Sequence, residues 1–163
     1  MDIEKYGLGP CPVGRALLRI GDSWSMLILR DAGYGATRFE QFRASLGIAP
    51  NILTRRLTAL VGDGLLEKGR YSEHPPREEY RLTNKGRDVL PILAAIGAWG
   101  RKYHGEGGTS YLVDDETGAR IEPVVVDGAT GKPLPELRTR LVRPEVQVAD
   151  PATPAAGTRP DSD

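Results

Sequence analysis

The residues best suited to specific hydrogen bonding lie in one short segment, Pro50 to Gly62, which contains an asparagine and two consecutive arginines. Asn51 and Arg55 are four residues apart, so in a helix they lie on one face, a turn from each other. Carboxamide and guanidinium groups form paired hydrogen bonds with the edges of adenine and guanine. Arginine also binds phosphate oxygens. The segment therefore predicts recognition of a surface that offers base edges and phosphates.

The apolar residues of the same segment predict a helix with one buried side. They recur at helical spacing and form a stripe: Leu53, Leu57, Leu60 and Val61. Pro50 lies in the first turn, where its missing N–H costs nothing. At about 100° per residue, Asn51, Arg55 and Thr58 point away from the stripe, and Arg56 lies to one side. A helix of this width fits the major groove of B-DNA.

A second short helix precedes this one across a tight turn. Thr37 and Glu40 have the spacing of a capping box, in which each side chain satisfies a backbone N–H. The apolar side of the helix holds Phe39, Phe42 and Leu46. Gly47 suits its end. Two short helices with narrow apolar stripes, joined by a turn, form a predicted helix-turn-helix.

A basic hairpin follows. The segments LLEKGRYS and REEYRLT read as short strands around the tip EHPP, where proline cannot continue a ladder. The hairpin carries the basic residues Lys68, Arg70, Arg77 and Arg81. Such charges neutralise phosphates or enter a minor groove. A helix-turn-helix followed by a basic hairpin, here at residues 69–79, is the winged-helix arrangement.

Two flanking helices have more apolar surface than one small domain covers. They span residues 12–20 and 84–103, and Pro91 should kink the second or mark its true first turn. We expect them to form a homodimer interface through Leu17, Val89, Ile92, Leu93, Ile96 and Trp99. Two-fold symmetry then predicts a palindromic binding site on the duplex.

The formal net charge of the 163 residues is zero, but the charge is divided. Residues 1–104 hold 16 Lys and Arg against 11 Asp and Glu, and residues 105–163 hold 6 against 11. This asymmetry predicts a basic binding domain at 1–104 and an acidic extension. Apolar β-branched runs between the turns DETG and DGATG predict a small β-rich module of about three strands at 105–148. Residues 149–163 have the composition of a disordered tail.

Composition and motifs weigh against other classes of function. Phosphate-binding loops, a dinucleotide fingerprint and a nucleophile elbow are absent from the sequence, which argues against an enzyme. One cysteine and two separated histidines, His74 and His104, cannot supply the four ligands of structural zinc, so we expect neither a metal nor a cofactor. The lone cysteine, together with the lack of a long apolar run or a signal-peptide core, predicts a cytoplasmic protein, and binding to DNA would place it at the nucleoid.

Cys11 directly precedes Pro12, at the predicted start of the first helix. The common interpretation is an inert, half-buried thiol. The alternative is a redox sensor, because a helix N-terminus favours the thiolate form that reacts with oxidants. Both interpretations stay open at the level of sequence, as does a small-molecule effector bound between the dimerisation helices and the DNA-binding domain.

Residues 11–100 as a whole resemble the HxlR family of bacterial transcription regulators. The motifs that carry the resemblance are Cys11-Pro12, Trp24 and its aliphatic neighbours, Gly35 with Arg38-Phe39, Gly47-Ile48, Leu53-Thr54-x-Arg56-Leu57, Asp63-Gly64-Leu65, Pro75-Pro76-Arg77, Tyr80-x-Leu82-Thr83, Gly86 and Trp99-Gly100. Ala49 departs from the pattern, since the family usually has a capping serine there, so this cap should be weaker. The extension resembles a zinc-ribbon module of some relatives, here without cysteines, which implies a metal-free remnant held by strand packing.

The resemblance implies an α+β fold: a winged helix-turn-helix domain with flanking dimerisation helices and a small C-terminal all-β module. It implies a sequence-specific transcriptional regulator that binds double-stranded operator DNA as a homodimer, with repression the expected effect and activation the alternative. The expected DNA-binding residues are Arg38, Pro50, Asn51, Thr54, Arg55, Arg56, Thr58, Arg70, His74 and Arg77. The alternative is a winged-helix module that binds another protein and not DNA. Cys11 sits where some members of the family sense oxidants.

Overall fold

The computed structural model describes residues 11–74, 76–106 and 108–142. Its elements are α1 (Pro12–Ile20), α2 (Ser23–Gly33), α3 (Phe39–Leu46), α4 (Pro50–Gly62), β1 (Leu66–Glu73), β2 (Pro76–Leu82), α5 (Asn84–Arg87), α6 (Leu90–His104) and a 3-10 helix (Leu134–Glu136). The two strands pair antiparallel. This is the predicted α+β winged helix-turn-helix architecture.

A small apolar core holds the helix-turn-helix in place. Ile28 and Leu29 of α2 are fully buried, and the leucine stripe of α4 and Phe42 of α3 pack around them. Ile48, in the turn between α3 and α4, is also buried. Burying these side chains provides most of the free energy that fixes α4 against α2, at about 25 cal/mol for each Å² of apolar surface removed from water.

The hairpin of β1 and β2, residues 66–82, is called the wing below. A short extended segment just before α3 pairs with β2 and so extends the sheet of the wing. The Arg38 backbone forms an antiparallel bridge with Glu79, and the Tyr80 N–H donates to the Thr37 carbonyl oxygen at 2.7 Å. The wing is therefore hydrogen-bonded directly to the beginning of the helix-turn-helix.

The residues predicted to form the capping box at the start of α3, Thr37 and Glu40, are not the ones that form the cap. Arg38 is the N-cap residue. The Gln41 side chain, and not that of Glu40, accepts hydrogen bonds from the backbone N–H groups of Thr37 and Arg38, at 2.9 and 2.8 Å. The helix starts one residue later than the Thr37 spacing predicts, because Thr37 and Arg38 are extended and pair with β2.

The long C-terminal helix predicted at 84–103 is two helices, α5 and α6. Pro91 lies in the first turn of α6, which was one of the two predictions made for this proline. At the base of the wing, the Thr83 hydroxyl accepts from the Gly86 N–H and donates to the Gly64 carbonyl oxygen at 2.7 Å. A Cβ at Gly86 would collide with the Leu65 carbonyl oxygen, so only glycine allows α5 to approach the strand this closely.

The all-β module predicted at 105–148 is not found in the described part of it. Residues 108–142 form no strand; they contain two isolated bridges, Val113 to Arg120 and Val126 to Pro133, and the 3-10 helix. In the second pairing, Pro133 and Pro135 lack the N–H that a longer ladder would need. The strand packing expected of a zinc-ribbon remnant is therefore absent from these residues. The predicted tail, 149–163, lies outside the described residues.

Each bridge instead encloses a turn that an aspartate closes. The Asp114 carboxylate accepts from the backbone N–H groups of Glu116 and Thr117 and from the Thr117 hydroxyl, at 2.7 to 3.0 Å. Asp127 accepts in the same way from the N–H and hydroxyl of Thr130, at 3.0 and 2.6 Å. The two turns, Asp-x-x-Thr-Gly, are thus closed by side-chain hydrogen bonds.

These bonds make the turns sensitive to acid. The backbone and hydroxyl donors of Thr117 hold the pKa of Asp114 below its ordinary value of 3.8. A carboxylate with a lowered pKa stabilises the turn above pH 3.8, and the effect disappears as the pH falls through the lowered pKa. We expect the Thr117 amide proton to shift with a midpoint below pH 3.8 in an NMR titration. Asp114→Asn should remove this titration, and Asp115→Asn should leave it unchanged; a midpoint at or above the ordinary value would contradict the closed turn.

Candidate nucleic-acid interface

Helix α4 has one buried and one exposed side, as the sequence predicts. Leu53, Leu57 and Leu60 are 0 to 1% exposed. On the opposite side an unbroken set of side chains is exposed: Pro50, Asn51, Thr54, Arg55 and Thr58. These five predicted contact residues therefore share one solvent-facing surface, which we call the α4 face.

The two threonines of the α4 face have their hydroxyl protons engaged within the helix. The Thr54 hydroxyl donates to the Pro50 carbonyl oxygen and the Thr58 hydroxyl to the Thr54 carbonyl oxygen, each at 2.9 Å. Their oxygens remain acceptors and their methyl groups remain apolar contacts, which suits exocyclic amines and the thymine methyl group. The donors that the α4 face offers therefore come from Asn51 and Arg55.

The structure does not support Arg56 as a DNA-contacting residue. Its guanidinium lies 2.7 Å from the Asp22 carboxylate, and only 27% of its side chain is exposed. Asp22 also caps α2 by accepting from the Ser25 N–H at 3.1 Å. Arg56 thus ties α4 to the start of α2. The spacing within α4 placed Arg56 to one side of the exposed face, but the partner on another helix is not visible in the sequence.

The turn between α3 and α4 is tight. Gly47 ends α3 in the left-handed conformation, with φ of 60°, which favours glycine. Ala49 is the N-cap of α4 and makes no side-chain capping bond, which confirms the weaker cap. Its carbonyl oxygen accepts from the N–H groups of Ile52 and Leu53. The start of α4 is therefore held by packing around buried Ile48 and by backbone bonds.

Ion pairs within the wing reduce the number of its basic groups that can reach DNA. Lys68 pairs with Glu78 at 2.7 Å, and this bond raises the pKa of Lys68; Arg81 pairs with Glu79 at 2.8 Å. The three wing residues predicted to contact DNA, Arg70, His74 and Arg77, are all exposed. These three side chains are therefore accessible from solvent.

Arg38 lies beside the wing and contacts it. Its guanidinium carbon is 4.4 Å from the centroid of the Tyr71 ring, a cation–π contact. The arginine itself is exposed. Tyr71 is not among the site residues expected from the sequence. Neither its position in the sequence nor its residue type indicates that its ring contacts Arg38, which lies on the other side of β2.

Exposed apolar side chains lie on α6 and on α1. None of the residues of α6 is buried. Ile92, Ile96, Trp99 and Tyr103 are 47 to 59% exposed and follow one another at spacings of four, three and four residues. This is the spacing of a coiled-coil seam. Val13 and Leu17 of α1, 62 and 45% exposed, are also apolar.

Two of the residues predicted for the dimer interface, Val89 and Leu93, do not lie on the outward surface of α6. Val89 is 6% exposed and belongs to the core of the protomer, so that prediction is wrong. It precedes α6 and packs inward, because Pro91 starts the helix after it. Leu93 is half-buried against the same core. The outward surface is therefore shifted to Ile92, Ile96 and Trp99, and it includes Tyr103.

An apolar cleft of about 570 Å³ separates α6 from the C-terminal segment. Its lining has no charged residue: Pro91, Ile92, Ala94, Ala95, Leu112, Ile121, Pro123, Val124, Val125 and Val126. This volume is within the range of small-molecule sites. The cleft lies on the side of α6 that faces the C-terminal segment, a different place from the effector site expected between the dimerisation helices and the DNA-binding domain.

Cys11 is the N-cap residue of α1. Its Sγ accepts from the Gly14 N–H at 3.4 Å, and the residue is exposed. The expectation of a half-buried thiol is therefore wrong, whereas its predicted place at the helix N-terminus is confirmed.

The described residues contain neither a cluster of metal ligands nor a membrane-spanning helix. Within 11–74, 76–106 and 108–142, no group of three or more His, Cys, Asp or Glu residues could hold a metal ion. In the same ranges, no helix has the length and apolar character needed to cross a membrane.

The exposed α4 face, the buried stripe behind it and the two-stranded wing define a winged helix-turn-helix protein of the DNA-binding class. More specifically, the chain belongs to the HxlR family, because residues 19–107 match the model of the HxlR-like helix-turn-helix. It is thus a transcriptional regulator of the helix-turn-helix type.

Similar proteins agree with this assignment. The chain is 38% identical over 135 residues to the HTH-type transcriptional regulator Rv3095 of Mycobacterium tuberculosis, a match that covers 82% of this chain and 84% of the relative. Among solved structures, PA1607, described as a candidate transcription factor, is 42% identical with a TM-score of 0.76, over 85% of this chain and 98% of that chain. The reduced form of the redox regulator HypR is 33% identical with a TM-score of 0.54, over 56% and 92%.

Proposed function

We propose that the protein is a repressor that binds a palindromic operator as a homodimer. The observation that carries the proposal is the α4 face, where Asn51, Arg55 and Thr58 are exposed directly opposite a fully buried leucine stripe. Each protomer inserts α4 into a major groove, and Arg70, His74 and Arg77 of the wing contact the flanking backbone. Asn51 and Arg55 read base edges, and phosphate contacts supply most of the affinity.

The second copy covers the outward surface of α6 and α1. A run of four large apolar side chains with coiled-coil spacing, none of them buried in the protomer, favours pairing with the same surface of another copy. Two-fold symmetry would place the centres of the two half-sites about 34 Å apart, or a multiple of it. The dimer would act in the cytoplasm, at the bacterial nucleoid. When it occupies a promoter, it would exclude the transcription machinery.

The test is a titration of the purified protein with a random duplex library at two salt concentrations, followed by sequencing of the bound DNA. We expect enrichment of one palindrome and an affinity that falls steeply as salt rises. Operator-dependent expression of a reporter gene distinguishes repression from activation. Failure to retain any duplex at low salt would favour the alternative, a winged-helix module that binds another protein.

An oxidant is the effector that the structure supports best. Cys11 is exposed at the N-terminus of α1, where an oxidant can reach its sulfur. A relative of similar fold is a redox regulator. The apolar cleft beside α6 suggests a different effector, an uncharged apolar small molecule, because none of its lining residues is charged.

Oxidant treatment is expected to change the operator affinity of the parent protein, because hydrogen peroxide converts the Cys11 thiol to a sulfenic acid, with release of water, and so alters the group that caps α1. We expect a change of about threefold to tenfold, given the stabilisation of about 1 kcal/mol by a helix cap. Cys11→Ser retains a cap but cannot be oxidised at sulfur, so its affinity should not respond. The measurement is fluorescence anisotropy before and after hydrogen peroxide treatment; an equal response of Cys11→Ser would exclude the cysteine as the sensor.

A further inference from the structure

The contact between Arg38 and Tyr71 joins two parts of the domain. Arg38 is the N-cap residue of α3, and Tyr71 lies in β1, the strand of the wing farther from it. The strand between them, β2, forms the backbone bridge to Arg38 through Glu79. The Glu79 carboxylate pairs with Arg81 at 2.8 Å. The guanidinium of Arg38 therefore reaches across β2 to an aromatic ring.

A β-bulge brings the Tyr71 ring to this place. The pairing of β1 with β2 passes from Arg70 opposite Glu78 to Ser72 opposite Arg77, so Tyr71 is an extra residue without a partner in the ladder. A bulge bends its strand and redirects side chains. Gly69 lies opposite Glu79, and no atom of the described residues lies within 4 Å of the position that a Cβ would occupy there. No side chain at position 69 therefore covers this part of β1.

The contact with the Tyr71 ring, at 4.4 Å from the guanidinium carbon, leaves the arginine able to bind an anion. A ring contacts the flat face of a guanidinium, whereas its five N–H donors point outward in the plane. An unrestrained arginine loses much rotamer freedom when it binds, and a stacked one has lost part of it already. Arg38 is exposed and lies beside the basic residues of the wing. An exposed, restrained guanidinium in this setting suits a backbone phosphate.

We propose that Tyr71 is a positioning residue: its ring holds the Arg38 guanidinium ready for a DNA phosphate and thereby fixes the wing relative to the helix-turn-helix. The inference rests on the proposed function, since it concerns the same interface. Tyr71 itself donates no hydrogen bond to DNA in this arrangement. Its effect passes entirely through Arg38.

A double-mutant cycle tests this dependence. The variants are Tyr71→Leu, Arg38→Ala and the combination, with Tyr71→Phe as the matched control that keeps the ring. Affinity for the selected palindrome is measured by fluorescence anisotropy over a series of salt concentrations. We expect Tyr71→Leu to weaken binding by about threefold to tenfold and Tyr71→Phe to resemble the parent. Arg38→Ala should also lower the salt slope by about 0.9 for each phosphate that the variant no longer neutralises.

The decisive comparison is the loss of affinity caused by Tyr71→Leu in the parent protein and in the Arg38→Ala variant. We expect Tyr71→Leu to have no effect on affinity when Arg38 is already alanine. Equal losses with and without Arg38, or a Tyr71→Phe variant as weak as Tyr71→Leu, would overturn the positioning role. Melting temperatures identify a variant that is unfolded, in which case Tyr71→Gln replaces Tyr71→Leu in the cycle. A parent protein that binds no duplex contradicts the proposed function itself, whereas a parent that binds with additive effects contradicts only this inference.

Discussion

Arg55→Ala is expected to bind its preferred palindrome and a variant with one altered base pair almost equally well. The Arg55 side chain is exposed in the middle of the α4 face, where it can form a bidentate hydrogen bond with guanine. Removing such a hydrogen-bonded pair costs about 1 to 3 kcal/mol, which corresponds to roughly a tenfold to hundredfold loss of discrimination at that position. Competition binding with a set of single-base variants of the palindrome measures this effect. Unchanged discrimination would show that Arg55 does not read a base.

Arg56→Ala is the matched control, since it removes the same group from the neighbouring position. Its guanidinium is paired with Asp22 at 2.7 Å, so we expect discrimination to persist. The free energy of unfolding should instead fall by about 1 to 2 kcal/mol, because the variant lacks the hydrogen bond to a charged group. Arg55 is exposed, so Arg55→Ala should melt near the parent temperature. A reversal of the two phenotypes would refute the assignment of the two side chains.

Ile96→Glu is expected to give a monomer that no longer binds the palindrome tightly. Ile96 lies in the centre of the exposed seam on α6, between Ile92 and Trp99, and is 47% exposed in the protomer. In a two-fold interface each substitution appears twice, and burial of unpaired carboxylates costs several kcal/mol. We expect the dissociation constant of the dimer to rise by at least about 100-fold, which is about 2.8 kcal/mol at 1.4 kcal/mol per tenfold. Analytical ultracentrifugation measures this constant.

The folding of the protomer should survive this change, because Ile96 is not part of its core. The control is Tyr34→Glu, which makes a similar apolar-to-acidic change at a residue that is 68% exposed and outside the seam. We expect Tyr34→Glu to sediment like the parent and to bind the palindrome. A dimeric Ile96→Glu would place the self-association surface elsewhere on the chain.

Periodicity and turn chemistry in the sequence were sufficient for most of the fold. The leucine stripe of α4, the glycine after α3 and the proline in the first turn of α6 are local signals, and each was confirmed. The exposed positions of Asn51, Arg55 and Thr58 follow from the same helical geometry. These features were predictable because helix spacing and backbone conformation depend on neighbouring residues only.

Contacts between distant segments could not be obtained in this way. Arg55 and Arg56 are alike in type and adjacent, yet only the packing of α4 on α2 brings Asp22 to one of them. The capping of α3 by Gln41 depends on the pairing of Thr37 and Arg38 with β2. The bulge that places Tyr71 beneath Arg38 depends on the register of the wing.

The C-terminal segment shows the same division between local and distant information. The turns at Asp114 and Asp127 were visible in the sequence, and both are present. The strands expected between them did not form in the described residues, since strand formation requires a partner ladder and not only a β-branched run. Local chemistry therefore specified the helices, the turns and the exposed α4 face, whereas the choice of each charged and aromatic partner came from segments that meet only when the chain is folded.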